Sequence, residues 1–307
     1  MNDYVMFVGG VLLAGAGGEL FVRGAVGIGR AARIAPGVVA ATIAAFATSS
    51  PEFTVSVAGA LEGKPSLGLG DTLGSNIVNI ALILGLSLFW GPFHPPRDSI
   101  RRDFPVALAA PALTAVLLFD NELSRWDGLA LLAVFAAWLT AVFREVRKQR
   151  SAVEEVLGER KPGRALAESV GGLVLLIAAS RLMVAAASSI AQSYGVSPFV
   201  IGATIVAIGT SVPELATTAI ARVRGHDEVG LGTILGSNIF NGVFVVGVVA
   251  CITPINVRLT SVAPVLTLGI ISTALTFPGR SGIIDWRRGL LLVSLYVAHI
   301  AAMAQSQ

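Results

Sequence analysis

Displaced by 162 residues, the chain falls on itself: Pro36–Gly85 aligns with Pro198–Gly247 without a gap, and twenty-one of the fifty positions are identical. The identities cluster in two stretches. Ala45-Phe-Ala-Thr48-Ser49-Ser-Pro51-Glu52 meets Ala207-Ile-Gly-Thr210-Ser211-Val-Pro213-Glu214, and Gly74-Ser75-Asn76-Ile77-Val-Asn79 meets Gly236-Ser237-Asn238-Ile239-Phe-Asn241. Apolar residues coincide by chance in any oily sequence; Thr, Ser, Pro, Glu and Asn do not. The fold must therefore build one unit twice, and the unit must make use of these polar residues.

The solvent around that unit follows from composition. Apolar residues make up 54% of the chain and charged residues 13%, about half the charge that a water-facing domain carries, roughly 25%. Apolar runs of some 18 residues or more recur along the whole length, as membrane-spanning helices require. A bilayer offers backbone groups no water, so helices or a closed barrel are the only options, and unbroken rather than alternating runs select helices. Ten spans are expected, near residues 4–30, 36–61, 66–91, 103–120, 126–143, 165–193, 198–221, 229–252, 260–278 and 286–304. The fold class is thus an all-α integral membrane protein. The first span lacks a basic leader region and runs straight on to further spans, so it does not read as a signal peptide. The single Cys251 excludes an intramolecular disulfide.

Charge placement orients the chain. With the spans alternating between two faces, 17 of the 22 Lys and Arg residues fall on one face, three (Lys64, Arg125, Arg258) on the other, and Arg23 and Arg181 within spans. Cytoplasmic loops carry the excess of Lys and Arg, which puts both termini outside and the polar stretch 144–164 in the cytoplasm. That basic stretch reads as a topogenic linker, not as a nucleic-acid patch. It separates a first half, 1–143, with repeat 36–85, from a second half, 165–307, with repeat 198–247. Five spans per half is an odd number, so the second copy enters the membrane from the opposite face. This is an inverted-topology repeat, an arrangement that puts a shared site near the midplane.

The chemistry of the repeated residues is that of a hard cation. Glu52 and Glu214 lie deep in apolar helices, where a carboxylate costs about 2.5–3.5 kcal/mol on insertion scales and marks an ion path. Thr48 and Glu52 are four residues apart and share a helix face, as do Thr210 and Glu214. Pro51 and Pro213 have no N–H, so the carbonyls of Ala47 and Gly209 lose their helical donors and are expected to turn toward a cavity. The second helix of each pair adds the hydroxyls of Ser75 and Ser237 and the amides of Asn76, Asn79, Asn238 and Asn241. The set holds neither thiolate nor imidazole, so it suits Ca²⁺ or Na⁺ and not zinc or copper. Glu19 differs: it lacks an acidic repeat partner, and a pair with Arg23 or Arg181 is expected of it. Gly68-Leu-Gly-Asp71 spells the G-x-G-D of one class of intramembrane protease, but Asp71 aligns with Thr233 and no second mid-span Asp accompanies it. A channel would need a continuous pore, which a paired, occluded carboxylate site argues against.

At these motifs the chain resembles the cation/Ca²⁺ exchanger superfamily, most closely the compact prokaryotic sodium/calcium exchangers, whose two repeats carry G-T-S-x-P-E and G-S-N-I-x-N/D. The resemblance covers nearly the whole chain. It implies ion ligands at Thr48, Ser49, Glu52, Ser75 and Asn79 and at Thr210, Ser211, Glu214, Ser237 and Asn241, with Ala45 and Ala207 lending carbonyls. It also implies that the first and sixth spans form a mobile pair sliding across an eight-helix core. Ala47 replaces the glycine of the first motif, and Asn241 stands where many members have Asp. The expected activity is Na⁺/Ca²⁺ antiport at one midplane site in a cell membrane. H⁺/cation or K⁺-dependent exchange on the same scaffold is the alternative. No enzymatic activity, no cofactor other than the transported Ca²⁺ and Na⁺, no nucleic acid and no obligate protein partner beyond membrane lipid are expected.

Overall fold

The computed structural model describes residues 3–152, 162–194, 207–279 and 282–305. Residues 198–206 of the expected seventh span, and 153–161 of the expected linker, lie outside the described residues. Helix α1 spans Asp3–Ala32. Helix α2 (Pro36–Thr48) and helix α3 (Ser50–Leu61) meet at a 45° bend. After α4 (Pro65–Trp90) and α5 (Arg97–Asp120) come α6 (Arg125–Ala152) and α7 (Pro162–Ser193). Both run into the stretch read from sequence as linker, so 144–152 and 162–164 are helical. The second repeat gives α8 (Ala207–Thr210), α9 (Val212–Val223) and α10 (Asp227–Ile252). Helices α11 (Leu259–Leu275) and α12 (Trp286–Gln305) follow. Among the described residues, six helices (α1, α4, α5, α6, α7 and α10) are long and apolar enough to cross a membrane, and the α2–α3 pair makes a seventh if counted as one span.

Burial ranks the helices. In their most apolar 18-residue windows α10 is 83% and α4 72% buried, against 39% for α5, 33% for α1, 28% for α7 and 17% for α6, so α4 and α10 form the centre. Small residues set the approach of the backbones, as expected where lipid supplies no hydrophobic drive between helices. A Cβ on Gly232 of α10 would stand 2.6 Å from the carbonyl of Gly37 on α2. Gly289 of α12 and Gly128 of α6 meet Gly85 of α4 and Gly247 of α10, a Cβ in either case reaching 2.7 Å from the facing carbonyl. Gly85 and Gly247 are repeat equivalents, so each central helix takes its outer neighbour by the same device.

Helices α1 and α7 form a pair of their own. Gly10 faces Met183, Gly17 faces Gly172, Gly24 faces Ser169 and Gly27 faces Ala165. The numbers rise on one helix as they fall on the other, so the two run antiparallel. Two further contacts tie loops. Strand β1 (Glu122–Leu123) pairs antiparallel with β2 (Ile255–Asn256), and Phe93 and Ile284 exchange two backbone hydrogen bonds of 3.0 Å. At the 162-residue offset Phe93 corresponds to Ile255 and Glu122 to Ile284, so the same two loops of each half are clipped twice. Arg222 secures the second clip: it pairs with Asp227 at 2.6 Å, bonds to the Gly91 carbonyl and lies 4.3 Å over the Phe93 ring.

Candidate ion-binding site

Both breaks have the same cause and the same shape. Pro51 and Pro213 sit in the first turn of the helix that follows, which their fixed φ favours. The residue before each new helix leaves helical geometry, at φ −86°, ψ 10° for Ser49 and φ −86°, ψ 9° for Ser211. The breaks aim the motif residues inward. Glu52 is 1% and Glu214 0% exposed, and Ala45, Thr48, Ser49, Ser75, Asn79, Ser211, Ser237 and Asn241 are all buried with them. Thr210 is partly buried, and Ala207 opens helix α8. Asn79 and Asn241 lie on wide π-helical turns, Val78–Leu84 and Phe240–Val245, which shift the helix face by a residue just beyond each Gly-Ser-Asn motif.

The two repeats interlock here. Ser49 of the first repeat donates to Glu214 Oε1 at 3.1 Å, and Ser237 donates to the same oxygen at 3.1 Å. The Thr48 and Ser237 hydroxyls are 3.4 Å apart, and their repeat equivalents Thr210 and Ser75 3.5 Å apart. Asn76 Nδ2 donates to the Asn238 carbonyl at 3.1 Å, and Asn238 Nδ2 returns the bond to the Asn76 carbonyl at 3.0 Å. The carboxylates of Glu52 and Glu214 lie within electrostatic reach of each other. These contacts bring Thr48, Ser49, Thr210, Glu214, Ser75 and Ser237 together across the two repeats and join Asn76 and Asn79 to Asn238.

The site is not symmetric in its bonding. Asn79 Nδ2 donates to Asn238 Oδ1 at 3.0 Å, but the mirror contact is not made: among the described residues Asn241 Nδ2 and Asn76 Oδ1 have no hydrogen-bond partner. Ser49 reaches Glu214, whereas among the described residues the Ser211 hydroxyl has no partner. The Ser75 hydroxyl interacts with Glu52, yet neither Glu52 oxygen has a donor at full hydrogen-bonding geometry. A buried oxygen without a donor costs about 1–3 kcal/mol, more for a charged group. The unsatisfied oxygens of Glu52, Ser211, Asn76 and Asn241 are the chemistry that a desolvated cation requires, and with two carboxylates they match a divalent ion or monovalent ions sharing the same oxygens.

Two expectations change. The Ala47 carbonyl freed by Pro51 does not turn into a cavity: Ser50 Oγ takes it at 2.8 Å. The Gly209 carbonyl freed by Pro213 accepts from Ser180 Oγ of α7 at 2.6 Å. In each case a neighbouring hydroxyl supplies the donor that the proline lacks. Glu19 pairs with Arg23 at 2.6 Å, the intrahelical pair expected of it, and also with Arg224 at 2.7 Å. The Ala45 carbonyl is held by the Ser49 N–H at 3.0 Å and the Thr48 hydroxyl at 3.3 Å. The Asn76–Asn238 exchange was legible only as a pair of amides; nothing in the spacing says that each would meet the other's backbone.

A helical membrane fold whose two repeats meet at a pair of buried glutamates, surrounded by hydroxyl and amide oxygens, defines a cation antiporter. The comparisons agree. The sodium/calcium exchanger protein family matches residues 3–144 and 165–304, and the chain belongs to that family. The sodium/calcium exchanger MaX1 of Methanosarcina acetivorans is 27% identical, with 99% of this chain and 98% of that protein covered. The inner membrane protein YrbG of Escherichia coli (strain K12) is 38% identical over 81% of this chain and 79% of its own length. Among solved structures, the sodium-calcium exchanger NCX_Mj soaked with zero Na⁺ and Ca²⁺ superposes with a TM-score of 0.83 at 27% identity, covering 99% of this chain and all of that one.

Proposed function

We propose that the chain exchanges Na⁺ for Ca²⁺ by alternating access to one site. Ten spans, in two inverted halves of five, place that site at the membrane midplane, with both termini outside and the linker in the cytoplasm of a cell bounded by its plasma membrane. The observation that carries the reading is the contact between the repeats around the buried glutamates: Ser49 of the first donates to Glu214 of the second, and the hydroxyls of Thr48 and Ser237, and of Ser75 and Thr210, approach each other across them. The ligands are Thr48, Ser49, Glu52, Ser75 and Asn79 with Thr210, Ser211, Glu214, Ser237 and Asn241, and the carbonyls of Ala45 and Ala207 complete the shell. Two carboxylates balance one Ca²⁺. The doubled loop clip supports the inverted arrangement, since equivalent loops of opposite halves are joined in both pairings.

Energetics bound the stoichiometry. With a tenfold Na⁺ gradient and a potential of ~100 mV, three Na⁺ per Ca²⁺ supply roughly 6.5 kcal/mol and two supply roughly 2.8 kcal/mol. Steep Ca²⁺ extrusion therefore calls for three. Reconstituted protein should take up Ca²⁺ saturably, only when Na⁺ is loaded on the opposite side, and with a rate that responds to membrane potential. Uptake that follows a pH gradient instead would replace this reading with H⁺/cation exchange at the same site, and ungated conductance would replace it with a channel.

A further inference from the structure

Asp71 breaks the likeness of the two repeats. Its equivalent is Thr233, whose hydroxyl is satisfied by the Val229 carbonyl at 2.9 Å. Asp71 is not satisfied: Oδ2 is buried and, among the described residues, has no hydrogen-bond partner. A carboxylate inside a span costs about 2.5–3.5 kcal/mol on insertion scales, and no ion pair or donor offsets it at that oxygen.

Its position follows from the contacts of its neighbours on α4. Ser75, four residues on and so on the same helix face, is the residue whose hydroxyl interacts with Glu52. Gly68, one turn the other way, lies against Ser56: Ser56 Oγ donates to the Gly68 carbonyl at 3.3 Å. Ser56 is itself four residues beyond Glu52 on α3. Asp71 therefore stands between these two levels, about one turn or roughly 5–6 Å from the Ser75 level, on the side of the turn at 62–64 that joins α3 to α4. Its charge reaches Glu52, and the residue is partly exposed. Its Oδ2 thus lies buried between the level of the ion site and one surface.

We infer that Asp71 is a third cation-binding residue, a carboxylate that receives Na⁺ or Ca²⁺ on the access route opening toward the 62–64 turn and passes it to Glu52. The opposite route has Thr233 at the equivalent place and no such carboxylate, so the two faces of the carrier load ions differently. This rests on the exchange reading, and with the orientation proposed above the route is the extracellular one.

The test compares the parent with Asp71→Asn and Asp71→Thr in vesicles of both orientations, in a Cys251→Ala background. The face bearing the 62–64 turn is identified by labelling Glu62→Cys with an impermeant thiol reagent. Half-saturating Ca²⁺ is measured from each face. The expected result is an increase of about tenfold or more from the 62–64 face, the loss of one charge contact, with the other face and the saturated rate unchanged. The saturated rate from the unaffected face shows that the variant folds. Equal changes from both faces, or none from either, would overturn the inference. A parent that moves Ca²⁺ under no gradient would overturn the exchange reading and the role of Asp71 together, which a parent with flux but no sided effect would not do.

Discussion

At Glu214, the hydroxyls of Ser49 and Ser237 donate to one carboxylate oxygen and leave the other without a donor; at Glu52, in the same motif, neither oxygen has a donor at full geometry among the described residues. Two acids that look identical in sequence thus begin the cycle differently solvated by the protein. Replacing either with an amide removes half the formal charge that balances Ca²⁺ while nearly keeping the volume. Glu52→Gln and Glu214→Gln should each abolish Na⁺-driven Ca²⁺ flux with the protein still folded; parent-like flux in either at matched expression would remove the two-carboxylate site. Asn241 offers a subtler probe, since an amide cannot titrate and a carboxylate can. Asn241→Asp should give Ca²⁺ flux a pH profile between about pH 6 and 9 that differs from the parent's. Superimposed profiles would take residue 241 off the list of ligands. At this scale the sequence was a good guide to which residues meet, because a motif kept in register twice marks a shared site. It was a poor guide to partners: Ser180, which caps the Gly209 carbonyl, and Arg224, which holds Glu19, lie 29 and 205 residues from them, beyond any local pattern.

Among the elements, the prolines announced both breaks, and the hydrophobic runs announced the helices. The π-helical turns left no such mark, because one extra residue in a turn changes neither the length nor the oiliness of a run. Nor did the runs give the ends of α6 and α7, whose charged outer turns read as loop yet continue the helix. The seam between α1 and α7 was visible as glycines but not as an ordered sequence of contacts. It yields a paired expectation. A Cβ on Gly24 would overlap the backbone nitrogen and hydroxyl of Ser169, while one on Gly9 meets nothing within 4 Å. Gly24→Ala should therefore lower the thermal stability of the detergent-solubilised protein, overpacking costing about 1–3 kcal/mol. Gly9→Ala should be neutral or stabilising, by up to about 1 kcal/mol from helix propensity. A Gly24→Ala protein as stable as the parent would mean that the two helices are free to part.

For the whole molecule, charge distribution supplies the orientation to be tested. A cysteine replacing Ser151, in a Cys251→Ala background, should be protected from an impermeant thiol reagent in intact cells and react once the membrane is opened; labelling of intact cells would reverse the topology. The packing supplies something else. Asn76 and Asn238, equivalent in the two repeats, each donate to the other's backbone, the self-complementary form of contact that a two-fold pair of identical subunits makes. Were each half made as a separate polypeptide and paired with its own copy, a single asparagine would meet itself, and every substitution would strike both sides in one event. Written twice in one gene, the two sides are inherited separately. A change at one leaves the other as it was, and the chain already carries such a change: Asp71 stands opposite Thr233. Fusion is what allows a vessel built from two like parts to acquire a front and a back.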